Sequence, residues 1–306
     1  MANAAPIKNL RIKPAPAAQS SITTTQYKNY QDFITRHYVD KEDRETVITN
    51  TRIGGNGKPG GRYHISDSEY DLFLDLYYRD IVAKGADEFL TEKQLETGGP
   101  IVVDIDLRHE YAVTEKQYTK THIDELITLY LDELKNFYRF DDKAKFPIYI
   151  FEKPTVNRLA DKQITKDGLH MIIGIQADRI TQTILRQRII AAIKDLDSWT
   201  ELPIKNSWED VFDEGISRGC VNWQLYGSKK PDHDTYRLTQ YYEIEYDDSD
   251  QEMICTDLNV KKIRFRTRIQ ETFGQVSPSF GTYVYYRILW YSRSQARWHH
   301  RWCDLS

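Results

Sequence analysis

Cysteine is scarce in this sequence, and its three copies do not pair. Cys220, Cys255 and Cys303 stand far apart in 306 residues and form no CxxC motif. We therefore expect neither a disulfide framework nor a four-ligand zinc site, and reduced thiols are the default. Runs of the roughly 18 apolar residues that a membrane helix needs are also absent. Because no apolar signal core lies near the start, the sequence predicts an intracellular protein without a membrane partner.

A strong excess of charge of either sign is missing as well. Acidic residues number 46 and basic residues 42, which gives a net charge of -4. This balance does not mark a nucleic-acid-binding protein, so the distribution of charge has to decide. Hydrophobic residues make up 40% of the chain and charged residues 29%, fractions that argue against a disordered protein.

The sequence contains no Walker lysine motif. Its glycine-rich stretch, residues 54–61, has Pro59 after Lys58, whereas the motif requires Ser or Thr after the lysine at the start of a helix. We expect this stretch to form a flexible turn before Arg62. A helicase ATPase is therefore not expected within these 306 residues.

Hydrophobic periodicity predicts helices and strands in alternating blocks. Helices are expected over about 67–84 and about 121–138, where apolar residues recur at helical spacing. Strands rich in β-branched residues are expected over 101–107, 147–151 and 169–175. The elements follow no strict βαβ order, which favours an α+β fold with a mixed or antiparallel sheet flanked by helices. A third helical face is formed by Ile180, Ile184, Leu185, Ile189 and Ile193.

Two aspartates, Asp104 and Asp106, lie one residue apart in the first of these strands. Because side chains alternate along a strand, both carboxylates project from one face, about 6 to 7 Å apart along the backbone. Apolar neighbours indicate that the strand is largely buried, so the two acids repel each other unless cations or donors neutralise them. The pair therefore suits a half-site for one or two Mg²⁺ ions. Solvation or capping of a strand end is the alternative interpretation.

A histidine near the start of the third strand is a second candidate. Gly168, two residues before His170, allows a close approach of the backbone. The imidazole of His170 could donate a hydrogen bond to a nucleotide phosphate. A lone histidine is also compatible with a purely structural role.

Further candidates follow in an acidic element and in a mixed aromatic and basic run. Asp210 or Asp213 could complete a three-carboxylate site, although acidic turns are also common on hydrated surfaces. The run at 222–231 packs aromatic, small and basic residues together, as a phosphate-contacting surface requires. Its candidate side chains are Trp223, Lys229 and Lys230.

In their order, these segments resemble the motif series of archaeo-eukaryotic primase domains. The resemblance is to the branch at the front of the primase-helicases of nucleo-cytoplasmic large DNA viruses, and it spans about residues 50–245. Flanking segments at 60–65, 90–95 and 152–154 are similar too. The motifs themselves are Asp104-Ile105-Asp106, Gly168-Leu169-His170, Asp213 and residues 223–231.

The resemblance implies a primase core that joins nucleotides on a single-stranded DNA template. Asp104, Asp106 and Asp213 would be the catalytic ligands of two Mg²⁺ or Mn²⁺ ions, with Asp210 as the alternative third ligand. His170 would contact the triphosphate of the incoming nucleotide. The family commonly has Ser two residues before that histidine, whereas this chain has glycine there.

Nucleotide and template binding also require positive charge. The triphosphate carries about four negative charges, so cationic groups must surround its far end. The nucleotide-binding candidates are His170, Lys229, Lys230 and Gly168, with Lys153 and Lys166 as weaker ones. The basic face of a predicted strand near the end of the chain could follow the template backbone or be a hydrated edge. The nucleic-acid-binding candidates are Arg264, Arg266, Arg268 and Trp223.

The predicted organisation has three parts. A mobile basic arm covers residues 1–25, the primase catalytic domain 26–270, and an aromatic and basic segment 271–306. Single-stranded DNA and nucleoside triphosphates are the expected partners. A helicase ATPase is expected either in cis, outside this chain, or in trans, and the expected location is a viral replication site in the host cytoplasm or nucleus.

Three other functions fit parts of the sequence. A glycosyltransferase could use Asp104 and Asp106 to hold a metal-bound nucleotide sugar, but it assigns no role to the segments around His170 and Trp223. A metal-dependent nuclease would use the same acids. A catalytically inactive, replication-associated binding module is the non-enzymatic alternative.

Overall fold

Two antiparallel sheets and their flanking helices make up residues 27–260, the part of the chain that the computed structural model describes. The predicted arm at 1–25 and the predicted segment at 271–306 lie outside these residues. Arg264, Arg266 and Arg268 lie outside them too. Every strand pair between residues 27 and 260 is antiparallel, which confirms the predicted α+β class.

The smaller sheet has five short strands in the spatial order β1-β3-β2-β4-β9. The glycine-rich stretch forms a turn, as predicted; the turn joins two of these strands into a hairpin, and a bridge between Gly55 and Lys58 closes it. This sheet packs with helices α1, Tyr30–Arg36, and α2, Tyr70–Tyr77, in an aromatic core. Its strands are β1 Tyr38–Val39, β2 Asn50–Arg52, β3 Gly61–Tyr63, β4 Leu90–Glu92 and β9 Trp223–Gln224.

The larger sheet has the spatial order β11-β10-β6-β8-β5, with β7 paired to β8. It contains the three predicted strands, each extended by a few residues at both ends. β5 and β8 pair over their full length with one irregularity after Pro100. The strands are β5 Gly99–Glu110, β6 Lys145–Glu152, β7 Asn157–Leu159, β8 Ile164–Ala177, β10 Arg237–Asp247 and β11 Glu252–Leu258.

Alternation along the strands gives the larger sheet two different faces. One face buries apolar side chains such as Ile105 and Leu107 under helices α3, Lys120–Phe137, and α4, Arg179–Ile193. The opposite face carries a smaller cluster that includes Val102 and also Trp223 of β9. The two sheets therefore meet on the second face, and that is where the predicted site residues project.

One predicted helix is present over nearly its expected length, and one predicted helical face is wrong in part. The helix expected over about 67–84 is α2 followed by a π-helical turn at Tyr78–Val82. On α4, Ile180 and Ile184 are exposed, at 73% and 38%, whereas Leu185, Ile189 and Ile193 are buried. Successive helical residues are rotated by about 100°, so the stripe through Leu185 faces the sheet while its neighbour through Ile184 faces solvent.

Three short helices connect α4 to β9. They are α5 Asp197–Thr200, α6 Trp208–Val211 and α7 Glu214–Ser217. Among the residues described, no helix is both long and apolar enough to cross a membrane.

Candidate active site

Asp104 and Asp106 project from the second face of the larger sheet. The backbone partner of Asp104 on β8 is His170, and the partner of Asp106 is Gly168. The antiparallel register therefore places the first two motifs opposite each other, although they are far apart in the sequence. The side chain of Asp104 is 19% exposed, and its Oδ1 is buried and has no hydrogen-bond partner within the described part of the chain.

His170 is the centre of a group of rings beside these acids. Its Nε2 lies 3.4 Å from Oδ1 of Asp104. The ring of Tyr236 stacks on the imidazole with 3.7 Å between centroids and 23° between planes. The ring of Trp223 also contacts the imidazole, with 4.6 Å between ring centroids. These contacts fix the orientation of His170 at the acid pair.

Gly168 allows β5 and β8 to approach closely. A Cβ at this position would lie 1.8 Å from the carbonyl oxygen of Ile105, and φ is +155°. A serine would bring its Cβ into the same clash, so Gly168 suits this backbone better than the serine that the family commonly has two residues before the histidine. The amide of Gly168 donates to Asp167 and its carbonyl accepts from Tyr118, so its predicted nucleotide contact stays a prediction.

The pKa values of the two aspartates are shifted in opposite directions. Burial alone would raise the pKa of Asp104. The contact with His170 and the charges of Lys230 and Lys153 outweigh burial, so this pKa lies below its ordinary value. Burial and the neighbouring charge of Asp104 raise the pKa of Asp106, against the lysines nearby. The acid pair therefore favours a cation between or beside the two carboxylates.

Three lysines face the acids without pairing with any carboxylate. Lys230 acts on both aspartates, Lys153 on Asp104 and Lys166 on Asp106. Within residues 27–260, no Asp or Glu oxygen comes within 4.0 Å of their ammonium groups. Uncompensated positive charge next to an acid pair suits an anionic ligand that arrives with cations.

Lys229 pairs with a residue of the smaller sheet's side, whereas Lys230 faces the two aspartates. The ammonium group of Lys229 lies 2.8 Å from Asp87, and its amide donates to the carbonyl of Glu88. Lys229 is thus bound to the smaller sheet and is not among the charges that act on Asp104 or Asp106. Of the two predicted lysines, the structure brings only Lys230 to the acids.

The loop that carries Lys230 is anchored by a buried serine. The hydroxyl of Ser228, which is 1% exposed, accepts from the amide of Leu90 at 2.8 Å and from the hydroxyl of Tyr77 at 3.2 Å. The oxygen of the same tyrosine hydroxyl lies 2.9 Å from the carbonyl oxygen of Tyr226, so its single proton is shared between the two acceptors. These bonds fix the position from which Lys230 leaves the loop.

Asp213 lies beside the acid pair through its backbone. Its amide donates to the carbonyl of Asp104 at 3.1 Å. One carboxylate oxygen of Asp213 caps α7, accepting from the amide of Gly215 at 2.7 Å. Asp210, the alternative third ligand, is exposed on α6.

Trp223 is buried rather than presented to solvent. Its side chain is 7% exposed in β9 and packs in the cluster between the sheets. Its contact with His170 gives it a supporting role in this structure. A base contact by Trp223 stays a prediction.

The described residues contain no group of three or more His, Cys, Asp or Glu side chains arranged to hold a metal ion. The residues nevertheless fit a divalent cation in two respects. The buried Oδ1 of Asp104 accepts no hydrogen bond from the described residues and has only the 3.4 Å contact with Nε2 of His170, so it is an available oxygen ligand. The repulsion that raises the pKa of Asp106 would be relieved by a cation.

The comparison with known families covers the part of the chain that holds this site. The family described as "C962R protein N-terminal AEP domain" matches residues 52–242. The chain belongs to the archaeo-eukaryotic primase family. The matched region of this primase-family domain includes both aspartates, His170 and the loop with Lys230.

A viral relative supports the same assignment. "Putative helicase L207/L206" of Acanthamoeba polyphaga mimivirus is 32% identical over 174 residues, which are 56% of this chain and 17% of the relative. The alignment thus spans about a sixth of that protein. The predicted resemblance to domains of large DNA viruses is confirmed.

Two further residues of the site were missed in the sequence. Tyr236 stacks on His170, and His233 lies close enough to Lys153 and Lys230 that both, together with burial, lower its pKa. Both follow Lys230 within one short loop before β10. Their closeness to Lys230 in the sequence is only a weak signal that they belong to the site, because the sequence does not determine the direction of the loop.

Proposed function

We propose that this chain is a DNA primase or primase-polymerase that carries out template-directed nucleotidyl transfer on single-stranded DNA. One observation carries the proposal: in a domain of the primase family, an aspartate pair on one sheet face is met by His170 and three unpaired lysines. The reaction requires carboxylates that bind metal ions, and it requires positively charged side chains that bind the phosphates of the nucleotide.

Asp104 and Asp106 would hold the divalent cations, Mg²⁺ or Mn²⁺, and Asp213 would contribute a third carboxylate. Two such ions, when bound, supply Lewis-acid stabilisation of the charge that develops on the attacking and leaving oxygens. Asp104 is poised as an ionised ligand because its pKa is held low. The capping bond of Asp213 uses one of its oxygens and leaves the other for ligation.

The lysines and His170 would receive the triphosphate. Lys230 comes from an anchored loop, whereas Lys153 and Lys166 are half-buried at the sheet. Their combined charge offsets the roughly four negative charges of the nucleotide. Orientation of the triphosphate against the aspartates is the main contribution expected from the protein, because phosphoryl transfer needs little covalent help.

The wider setting is part of the proposal. The mimivirus relative is named a helicase, so we propose that this domain works with a helicase ATPase in cis or in trans. The work would take place at a viral replication site inside the host cell. Arg264, Arg266 and Arg268 are the proposed contacts to the template backbone.

A primer-synthesis assay tests the proposal. The protein is incubated with single-stranded DNA, labelled nucleotides and Mg²⁺ or Mn²⁺, and extension products are resolved by length. Asp104→Ala and Asp106→Ala should each lose at least about 100-fold in rate. Asp132→Ala, on the exposed surface of α3, is the matched control and should synthesise normally.

The same protein distinguishes the rival functions. Unchanged synthesis by both aspartate variants would refute the assignment. Degradation of labelled DNA in the absence of nucleotides, lost in the same variants, would indicate a nuclease. Transfer from a nucleotide sugar without primer synthesis would indicate a glycosyltransferase, and absence of nucleotide-dependent Mn²⁺ binding would indicate an inactive binding module.

A further inference from the structure

One aromatic ring contacts two of the side chains that the proposed function assigns to the triphosphate, His170 and Lys153. The ring of Tyr236 stacks on His170 at 3.7 Å, and the ammonium group of Lys153 lies 4.7 Å from the same ring's centroid. Stacking and a cation–π contact both restrict side-chain orientation. Tyr236 thus links a residue of β8 to the residue that follows β6.

The backbone segments on either side are fastened to each other. The hydroxyl of Thr155 donates to the carboxylate of Asp234 at 2.5 Å. The side chains of Asn157 and His233 meet at 3.2 Å. These two contacts join residues 155 and 157 to the loop before β10 and so restrict the backbone that leads into Tyr236.

Lys153 needs such a restraint. Burial and the nearby charge of Lys230 both lower the pKa of Lys153, and both oppose keeping its ammonium group in place. A long, flexible lysine would otherwise turn towards solvent, where it is better hydrated. The electron-rich face of Tyr236 favours the position over the acid pair.

We infer that Tyr236 is a positioning residue that aligns His170 and Lys153 for the phosphates of the nucleotide. The inference rests on the proposed function, since it assigns those two groups to the triphosphate. Tyr236 is not assigned a contact with the reacting atoms. It acts through His170 and Lys153, the two side chains that its ring contacts.

Binding of inorganic tripolyphosphate and of ATP, each with Mg²⁺, tests the inference by calorimetry on the full chain. Tyr236→Leu should weaken the affinity for both about tenfold, because two contacts lose their alignment. Tyr236→Phe keeps the ring and should bind within about twofold of the natural chain. In primer synthesis, Tyr236→Leu should raise the nucleotide KM more than it lowers kcat.

Tyr241→Leu is the matched control for a general loss of packing. Tyr241 stacks on Tyr149 at 4.9 Å on the same sheet face, and the stack involves no cationic side chain. This variant should lower the melting temperature as much as Tyr236→Leu while leaving tripolyphosphate affinity within about twofold. Equal losses of affinity in the two variants would assign Tyr236 a structural role only and overturn the inference.

A double variant completes the test. If Tyr236 acts through His170, the loss of binding free energy for tripolyphosphate in the double variant Tyr236→Leu with His170→Ala should be clearly smaller than the sum of the losses in the two single variants. Full additivity overturns the inference, as does a natural chain that does not bind tripolyphosphate. A chain that binds it through Tyr236 but makes no primer overturns the proposed function instead.

Discussion

Nε2 of His170 lies 3.4 Å from Oδ1 of Asp104, across the pairing of β8 and β5. The contact joins a candidate ligand of the triphosphate to a candidate ligand of the metal. The histidine helps to keep the pKa of Asp104 below its ordinary value. The close approach at Gly168 makes this distance possible.

Replacing His170 by alanine should mainly affect nucleotide binding. A hydrogen bond to a charged phosphate contributes about 1.5 to 3 kcal/mol, so the nucleotide KM should rise about 10- to 100-fold with a smaller change in kcat. Steady-state primer synthesis at varied nucleotide concentration measures both constants. His64→Ala, at a half-buried histidine bonded to the carbonyl of Val47 in the smaller sheet's loop, should leave them unchanged. An unaltered KM in His170→Ala would show that the imidazole does not contact nucleotide.

Neighbouring lysines should behave differently. Lys230→Ala removes a charge that acts on both aspartates, and it should raise the nucleotide KM about tenfold or more. Lys229→Ala breaks only the pair with Asp87, a partly exposed contact worth about 0 to 1 kcal/mol of stability. The KM of the Lys229 variant should therefore stay within about twofold of the natural value. A larger effect at Lys229 than at Lys230 would reverse this assignment.

These two lysines illustrate what local sequence can and cannot predict. Alternation along a strand is enough to place Asp104 and Asp106 on one face. The directions of Lys229 and Lys230 depend on hydrogen bonds that Ser228 accepts from Leu90 and Tyr77, which join parts of the chain distant in sequence. No local pattern contains that information, so both lysines received the same prediction.

Long-range pairing also limited the prediction of the aromatic and acidic residues. Trp223 looked like an exposed base contact, but the meeting of the two sheets buries it. The position of Tyr236 over His170 depends on the loop before β10 folding back to β8. By contrast, the capping bond of Asp213 is local, and an aspartate before Glu214 and Gly215 is a recognisable helix start.

Gly168→Ala should destabilise the fold strongly. The added Cβ would lie 1.8 Å from the carbonyl oxygen of Ile105 at a φ of +155°, so β5 and β8 would have to separate at the site. We expect a loss of about 3 kcal/mol or more in the free energy of unfolding, measured by urea titration. Gly57→Ala is the matched control, since φ is +77° there but nothing lies within 4 Å. It should cost only about 1 to 2 kcal/mol, and equal losses would mean that the strands do not approach closely at Gly168.

Glu92 predicts a pH dependence of stability in the smaller sheet. It lies in β4 opposite Trp223 and accepts a hydrogen bond from the hydroxyl of Tyr70. Burial raises the pKa of Glu92 from 4.5 to about 7, although the bond from Tyr70 lowers it in part. The folded chain therefore keeps this proton up to about pH 7, whereas the unfolded chain releases it near pH 4.5. Because the folded chain binds more protons in this window, this group makes the free energy of unfolding fall as the pH rises through it.

Glu92→Gln removes that dependence while keeping an oxygen for Tyr70. At pH 8 the variant should be more stable than the natural chain, by at most about 3 kcal/mol. Below about pH 4.5, where Glu92 is protonated in both states, the two chains should be nearly equal. Urea unfolding at pH 4.5, 6 and 8 measures the difference, and Glu96→Gln, whose side chain is 85% exposed, is the control that should show little change. A stability difference between Glu92→Gln and the natural chain that is the same at all three pH values would contradict the burial of an ionisable Glu92 beside Tyr70.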